Sequence, residues 1–481
     1  MLFNSIEFLI FFPVVVLTYF LLPHKFRWFW LLSASVYFYM RFIPIYILVL
    51  FFLIAIDYTA GLMISAAKTA SRKKLFLIMS LCANIGILSF FKYFNFFNLN
   101  IDKLATLIGW NYPLVLLSFA LPIGLSFHTF QSISYVIEVY KGNYKVEKNG
   151  GIYALYVMFF PQLVAGPIER PQNLLHQLHE KHDFDFQRVS NGLKLMLWGF
   201  FKKVVIADRL ALLVNTIYAN PTNYTGTPLI LATVFFAFQI YCDFSGYSDI
   251  AIGSARVMGI NLMYNFRRPY FSKSISEFWR RWHISLSTWF RDYFYIPLGG
   301  SRVSLLRVYF NLFVTFLVSG LWHGANWTFA VWGAFHGFYI MFGKATYKFR
   351  KKLADSYGLS KFPKLHTILQ IIITFILADI AWIFFRANTM SDAVYILTHL
   401  LSGLTLNLSS VDLGLDNPEL VVAFVSIIFM ESVQFVQERI GIMQFLSRKP
   451  AWLRWIIYLL LILGILLFGV FKGMSFIYFQ F

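Results

Sequence analysis

Charge is scarce in this chain: 13% of its 481 residues are Asp, Glu, Lys or Arg, about half the roughly 25% of a soluble globular domain. Cysteine occurs only twice, as Cys82 and Cys242, each inside an apolar stretch, so no disulfide framework can be read. Packing suits both thiols, with S-acylation of Cys242 the weaker alternative. The sequence carries no G-x-S-x-G elbow, no Walker loop and no G-x-G-x-x-G fingerprint, which removes the usual support for serine-hydrolase chemistry and ATP-driven transport. It shows no fixed-period repeat and no matched pair of interrupted helices in its two halves, and this lowers the case for a transporter fold.

Apolar residues are abundant, at 59% with 20% aromatics. Ile6 to Leu22, Phe42 to Ala66, Leu75 to Phe97, Pro228 to Met258, Leu305 to Leu321, Thr367 to Phe385, Leu420 to Met430 and Trp452 to Phe471 form predominantly apolar windows. Most reach the roughly 20 residues a helix needs to cross a hydrocarbon core. With the more broken stretches they predict about ten to thirteen helical segments in a polytopic membrane protein, some re-entrant or interfacial. The first window has no basic n-region and no small-residue cleavage pattern, so it is expected to stay as an anchor.

The 41 Lys and Arg against 22 Asp and Glu leave a net charge of +19. In a membrane chain this excess orients loops and does not call for nucleic acid. Lys68, Arg72, Lys73 and Lys74 mark one cytoplasmic loop, and Lys344, Lys348, Arg350, Lys351 and Lys352 another. Counting back, His24 to Arg27 is cytoplasmic and the N-terminus outside, provided Trp28 to Met40 is a span. The Asn-rich stretch Phe94 to Asn111 and the Lys- and Arg-free stretch Leu404 to Pro418 suit the outer face. A single membrane domain over residues 1–481, with loops at Pro167 to Asn191 and Ala354 to Leu365, fits better than several domains.

Polar groups inside apolar sequence concentrate between Leu121 and Gly343, and a buried ionisable residue at membrane depth is a functional candidate by default. His323 stands in Gly320-Leu-Trp-His-Gly-Ala-Asn326. On one continuous helix His336, thirteen residues on, would lie about 20 Å away, which removes it as a partner unless the chain bends sharply. Gly324 and Asn326 allow a break after His323, the usual way to set a reactive group on a cavity wall. Asp243 and Asp249 stand six residues apart in a segment continued by Gly253, Ala255 and Gly259, small residues that admit close helix contact. Buried, hydrogen-bonded structure is their first reading; a polar path or the orienting of an imidazole is the other.

From Ser276 to Asp292, Phe278, Trp282, Leu286 and Trp289 make an aromatic stripe at helical spacing, with Arg280, Arg281 and Arg291 on other faces. An interfacial helix explains this plainly. Guanidinium groups also suit a phosphate-bearing donor such as a coenzyme A thioester, although composition alone favours lipid headgroups. His176, His179 and His182, with Glu180 and Asp183, raise a metal site; without a His-Glu-x-x-His pattern, in a polar segment, a solvated cluster is the better reading and no metal is expected.

Leu121 to Ser132, Phe160 to Ile168, Asp243 to Gly246, Phe278 to Asp292, Gly320 to Asn326 and Trp382 to Ala387 together resemble the membrane-bound O-acyltransferase family. More narrowly they resemble its bacterial branch that acetylates polysaccharides such as alginate. The likeness covers nearly the whole chain in order. It implies an all-helical membrane domain of about eleven spans around a thinned centre with a tunnel joining the two faces, in a bacterial cytoplasmic membrane. It implies acetyl-CoA as donor from the cytoplasm, no bound cofactor, and passage of the acetyl group to an outer polysaccharide by way of an SGNH-type acetyltransferase. The family's catalytic histidine falls on His323 and its upstream histidine on His283, while His128 stands where relatives often have Tyr.

On that reading His323 is the general base toward the acceptor hydroxyl, kept neutral by burial. His283 orients the acyl group or donor, and Asn326 or Trp322 donates to the oxyanion. D-alanyl transfer to teichoic acid, O-acylation of peptidoglycan and a non-catalytic acetyl or lipid conduit remain the alternatives.

Overall fold

The computed structural model describes residues 1–118, 121–164, 166–405, 411–439, 445–446, 448–471 and 476–479. Ala165 of the Phe160 to Ile168 motif, and residues 406–410 of the Lys- and Arg-free stretch, therefore lie outside the described residues. No strand occurs among the described residues; the elements are helices. Seven are long and apolar enough to cross a membrane, among them Pro44–Ala66, Ala70–Leu107, Thr227–Val257, Leu305–His323 and Pro363–Arg386. Shorter helices, Ile6–Leu21 and His24–Met40 included, accompany these seven among the described residues.

The residues group into two compact units, Met1–Met196 with Tyr247–Met263, and Leu197–Gly246 with Tyr264–Phe481. The first contains α1 (Ile6–Leu21), α2 (His24–Met40), α3 (Ile47–Ala66), α4 (Ala70–Leu107) and α5 (Leu125–Lys141). Asp57, fully buried in the spanning helix α3, is held by α4: its carboxylate accepts from Ser80 Oγ at 2.6 Å and from Asn84 Nδ2 at 2.8 and 3.0 Å. This is how a carboxylate persists at membrane depth. α4 runs through much of the Asn-rich stretch, because Asn98 and Asn100 donate to the carbonyls of Phe94 and Phe96 one turn back. Gly253 fits where the predicted small-residue contact falls: a Cβ there would stand 2.6 Å from the carbonyl oxygen of Gly192.

The second unit contains α6 (Asp208–Ala219), preceded by a π-helical turn at Phe201–Ala207, and the short helices α7 (Ile275–Arg281) and α8 (Ile284–Phe290). It continues with α9 (Leu305–His323), α10 (Trp327–Ala345), α11 (Pro363–Arg386) and α12 (Ala451–Phe468). α9 and α10 form a tight helical hairpin broken at Gly324 to Asn326. A Cβ on Gly333 would run into the carbonyl of Phe316 and lie 3.2 Å from the Cα of Gly320, so backbone meets backbone at this crossing.

Two straight-chain expectations fail against the fold. The hairpin brings His336 back along α9, and the indole of Trp332 lies between the two imidazoles, 4.9 Å from each ring centroid; the 20 Å separation belonged to an unbroken helix. The aromatic stripe is not one interfacial helix either. The helix stops at Trp282 and restarts after His283, and Phe278, Trp282, Leu286 and Trp289 all point into protein. The restart is possible because Asn265 takes up the freed donors: its carbonyl accepts from Ile284 N at 2.9 Å and its Oδ1 from Ser285 N at 3.1 Å.

Candidate active site

His323 is the last residue of α9 and is buried. Four rings surround its imidazole: Trp322 at 4.8 Å, Trp332 at 4.9 Å, Phe385 at 5.3 Å and Tyr478 at 5.6 Å, centroid to centroid. Each comes from a different stretch. Trp322 precedes it in α9, Trp332 is set by the hairpin, Phe385 ends α11 in the Trp382 to Ala387 motif, and Tyr478 belongs to a short turn, Ile477–Phe479.

His283 occupies the junction of α7 and α8 with φ +41°, a left-handed conformation uncommon for a residue with a side chain. It is fully buried, with the Phe244 ring perpendicular to it at 4.5 Å between centroids. Burial outside the spanning helices pushes its pKa down, to about 3, so a neutral ring is held there. Backbone strain of this kind persists only where its surroundings enforce it, and it concentrates at functional sites. The Tyr478 ring centroid lies 6.4 Å from that of His283 and 5.6 Å from that of His323, so one phenol ring neighbours both predicted histidines.

Of the other predicted residues, Trp322 alone is in ring contact with a predicted histidine among the described residues. Asp243 is held by an ion pair, 2.7 Å from Lys203 Nζ, and Lys203 also reaches Asp208 at 2.8 Å. Asp249 belongs to the first unit and is half-buried. Asn326 caps α10: its Oδ1 accepts from Thr328 N at 3.1 Å and its Nδ2 donates one hydrogen to the Asn388 carbonyl at 3.1 Å. Trp322 stays beside His323 with a buried indole.

Arg281 pairs with Glu277 at 2.6 Å and Arg291 with Asp292 at 2.6 Å, while Arg280 is exposed. Two of the three cations offered for a phosphate-bearing donor are thus matched by carboxylates of their own segments. His336 is a structural residue, its Nδ1 accepting from Trp279 Nε1 at 3.2 Å. His128, buried in the first unit, packs edge-on to Tyr39 at 6.2 Å.

His179 pairs with Glu147 at 2.7 Å and His176 approaches Glu180 at 3.9 Å, while His182 Nε2 meets the Gln177 carbonyl at 2.9 Å. No group of three His, Cys, Asp or Glu suited to a metal ion occurs among the described residues.

Sequence reasoning passed over Tyr478, Trp332 and Lys203. An aromatic among 56 Phe, 27 Tyr and 13 Trp carries no individual signal. A lysine in an apolar run could have been found by its cost at that depth.

A buried imidazole at a helix break, with Trp322, Trp332, Phe385 and Tyr478 against it, shares Tyr478 as a neighbour with a second, neutral imidazole. Such a group can take a proton from a hydroxyl in a site from which water is excluded.

Residues 152–386 match the MBOAT, membrane-bound O-acyltransferase family. The chain is 40% identical over 445 residues to a probable alginate O-acetylase AlgI of Pseudomonas aeruginosa, covering 91% of this chain and 83% of that protein. A peptidoglycan O-acetyltransferase of Helicobacter pylori is 36% identical over 82% of this chain and 79% of its own length. A teichoic acid D-alanyltransferase of Streptococcus thermophilus is 30% identical over 53% and 65%. With spanning helices, a buried histidine at a helix break and relatives along nine-tenths of its length, this multi-pass membrane protein belongs to the membrane-bound O-acyltransferase family and is an O-acyltransferase.

Proposed function

We propose that the protein takes an acetyl group from acetyl-CoA on the cytoplasmic side of a bacterial inner membrane and passes it on for O-acetylation of an alginate-like polysaccharide outside, with His323 as general base. The observation that carries this reading is the placement of His323. It is buried at the end of a spanning helix, in contact through Tyr478 with the strained, neutral His283. Its likeness to alginate O-acetylases at 40% identity supports acetyl as the group and a polysaccharide as the acceptor.

The chemistry follows from the residues. A hydroxyl attacking a thioester carbonyl must lose a proton as the C–O bond forms. A neutral imidazole is matched to that transfer near neutral pH. The thiolate leaves and takes up the proton that His323 has accepted, which restores the neutral imidazole, so no further acid is required. His283, uncharged and wedged by Phe244, can align the acyl group without repelling an imidazolium formed at His323. An SGNH-type extracytoplasmic acetyltransferase is the expected partner for the final transfer.

Peptidoglycan is the second acceptor reading, favoured by the 36% identical peptidoglycan O-acetyltransferase. Purified protein in vesicles, given labelled acetyl-CoA and the partner, with alginate or peptidoglycan fragments in parallel, tests both. Label entering alginate supports the first acceptor and label entering peptidoglycan the second. No release of CoA under any condition, with the protein folded, rejects enzymatic transfer from this donor.

A further inference from the structure

Lys203 Nζ sits 2.8 Å from Asp208 Oδ1 and 2.7 Å from Asp243 Oδ1, and the three side chains are all but sealed from solvent, at 1%, 2% and 4% exposure. Three buried charges are a poor way to gain stability, since apolar residues of the same volume often do as well or better. What the ion pairs do supply is a fixed direction for Asp243. Its second oxygen, Oδ2, accepts the backbone N–H of Ile477 at 2.8 Å.

Two further bonds tie the same receptor to the same segment. The carbonyl of Val204, in the π-helical turn, accepts from Val470 N at 2.8 Å, and Arg209 Nη2 donates to the Phe468 carbonyl at 2.8 Å. The stretch 203 to 209 therefore supplies or orients these three attachments, which fall on Phe468, Val470 and Ile477. The residue after the last attachment is Tyr478, whose ring meets His283, His323, Phe244 and Phe385. π-Helical turns recur at functional sites, where they displace backbone groups from the regular ladder.

We propose that Lys203, Asp208 and Asp243 form a clasp that seats the C-terminal segment in the active site, and that they are positioning residues for acyl transfer. Asp208 holds Lys203, Lys203 holds Asp243, Asp243 holds the amide of Ile477, and that amide sets where Tyr478 stands between the two imidazoles. The catalytic consequence rests on the reading of His323 as base; the seating itself does not.

Hydrogen exchange of the full-length protein in detergent or nanodiscs, followed by acetyl transfer from acetyl-CoA, tests the clasp. Asp243→Leu removes the acceptor of the Ile477 amide and leaves Lys203 and Asp208 as a neutral pair, and Asp243→Asn keeps an acceptor oxygen without its charge. Losing a charge-assisted hydrogen bond predicts exchange about tenfold faster or more in peptides covering 468–479 for Asp243→Leu, with a smaller rise for Asp243→Asn. Both variants lower kcat in that same order while KM for acetyl-CoA stays within about twofold, the signature of an interaction expressed in the transfer step.

Exchange in 468–479 unchanged in Asp243→Leu overturns the clasp. So does faster exchange spread across the whole chain, which marks a purely structural cluster. His323→Ala serves as the separate check: transfer surviving in it defeats the base assignment, while its C-terminal exchange, expected to equal that of the native protein, leaves the seating result standing.

Discussion

The ring of Tyr478 stands 5.6 Å from the imidazole of His323, although the two belong to segments far apart in the chain. Tyr478→Phe keeps the ring and its contacts with both imidazoles and removes only the hydroxyl. Folded protein is therefore expected, while acetyl transfer falls about tenfold or more through loss of a polar group beside the base. Thermal unfolding and turnover measured on one preparation decide it.

The crossing of α9 and α10 predicts a different kind of loss. Gly333→Val inserts a branched side chain where the Phe316 carbonyl and the Gly320 backbone already touch. Overpacking of this sort costs about 1–3 kcal/mol. The variant should unfold at lower temperature and yield less folded protein, with the loss reduced in a host able to fold it at low temperature.

Stability should respond to acid through His283. Its pKa is lowered by burial to about 3, whereas in the unfolded chain it returns to about 6.5. The folded-state value is depressed, so below about pH 6.5 the unfolded state binds the extra proton, and the contribution present above that pH is lost progressively toward pH 3. Unfolding temperatures measured from pH 8 to pH 4 should fall, and His283→Gln should flatten that slope.

The sequence exposed most of the membrane scaffold and little of the site's closure. Leu305 to Leu321 and Thr367 to Phe385 anticipated α9 and α11 closely, since apolar run length is a strong signal for a spanning helix. Asn326 was legible as a possible break, but its service as a helix cap was not, because capping depends on backbone geometry that a composition window does not contain. The interruption at His283 was hidden for a related reason: the donors freed there are satisfied by Asn265, a long-range partner with no periodicity. Lys203 and Tyr478 were missed because their meaning lies in what they meet, Asp208 and Asp243 in one case and two imidazoles in the other.

His336 separates structure from chemistry within one hairpin. Its Nδ1 accepts the Trp279 indole hydrogen, so His336→Ala leaves a buried donor without its partner, at a cost of about 1–3 kcal/mol. Folded His336→Ala protein should still turn over within about tenfold of the native rate. Turnover per folded molecule, normalised by active-protein yield, checks this against His323.

The central claim is that His323 removes the acceptor proton. Release of CoA from acetyl-CoA by reconstituted protein and partner, compared between native protein and His323→Ala at matched folded concentration, tests it most directly. A fall of about 10²- to 10⁴-fold in kcat is the predicted result. Turnover in His323→Ala within a few fold of native would contradict it.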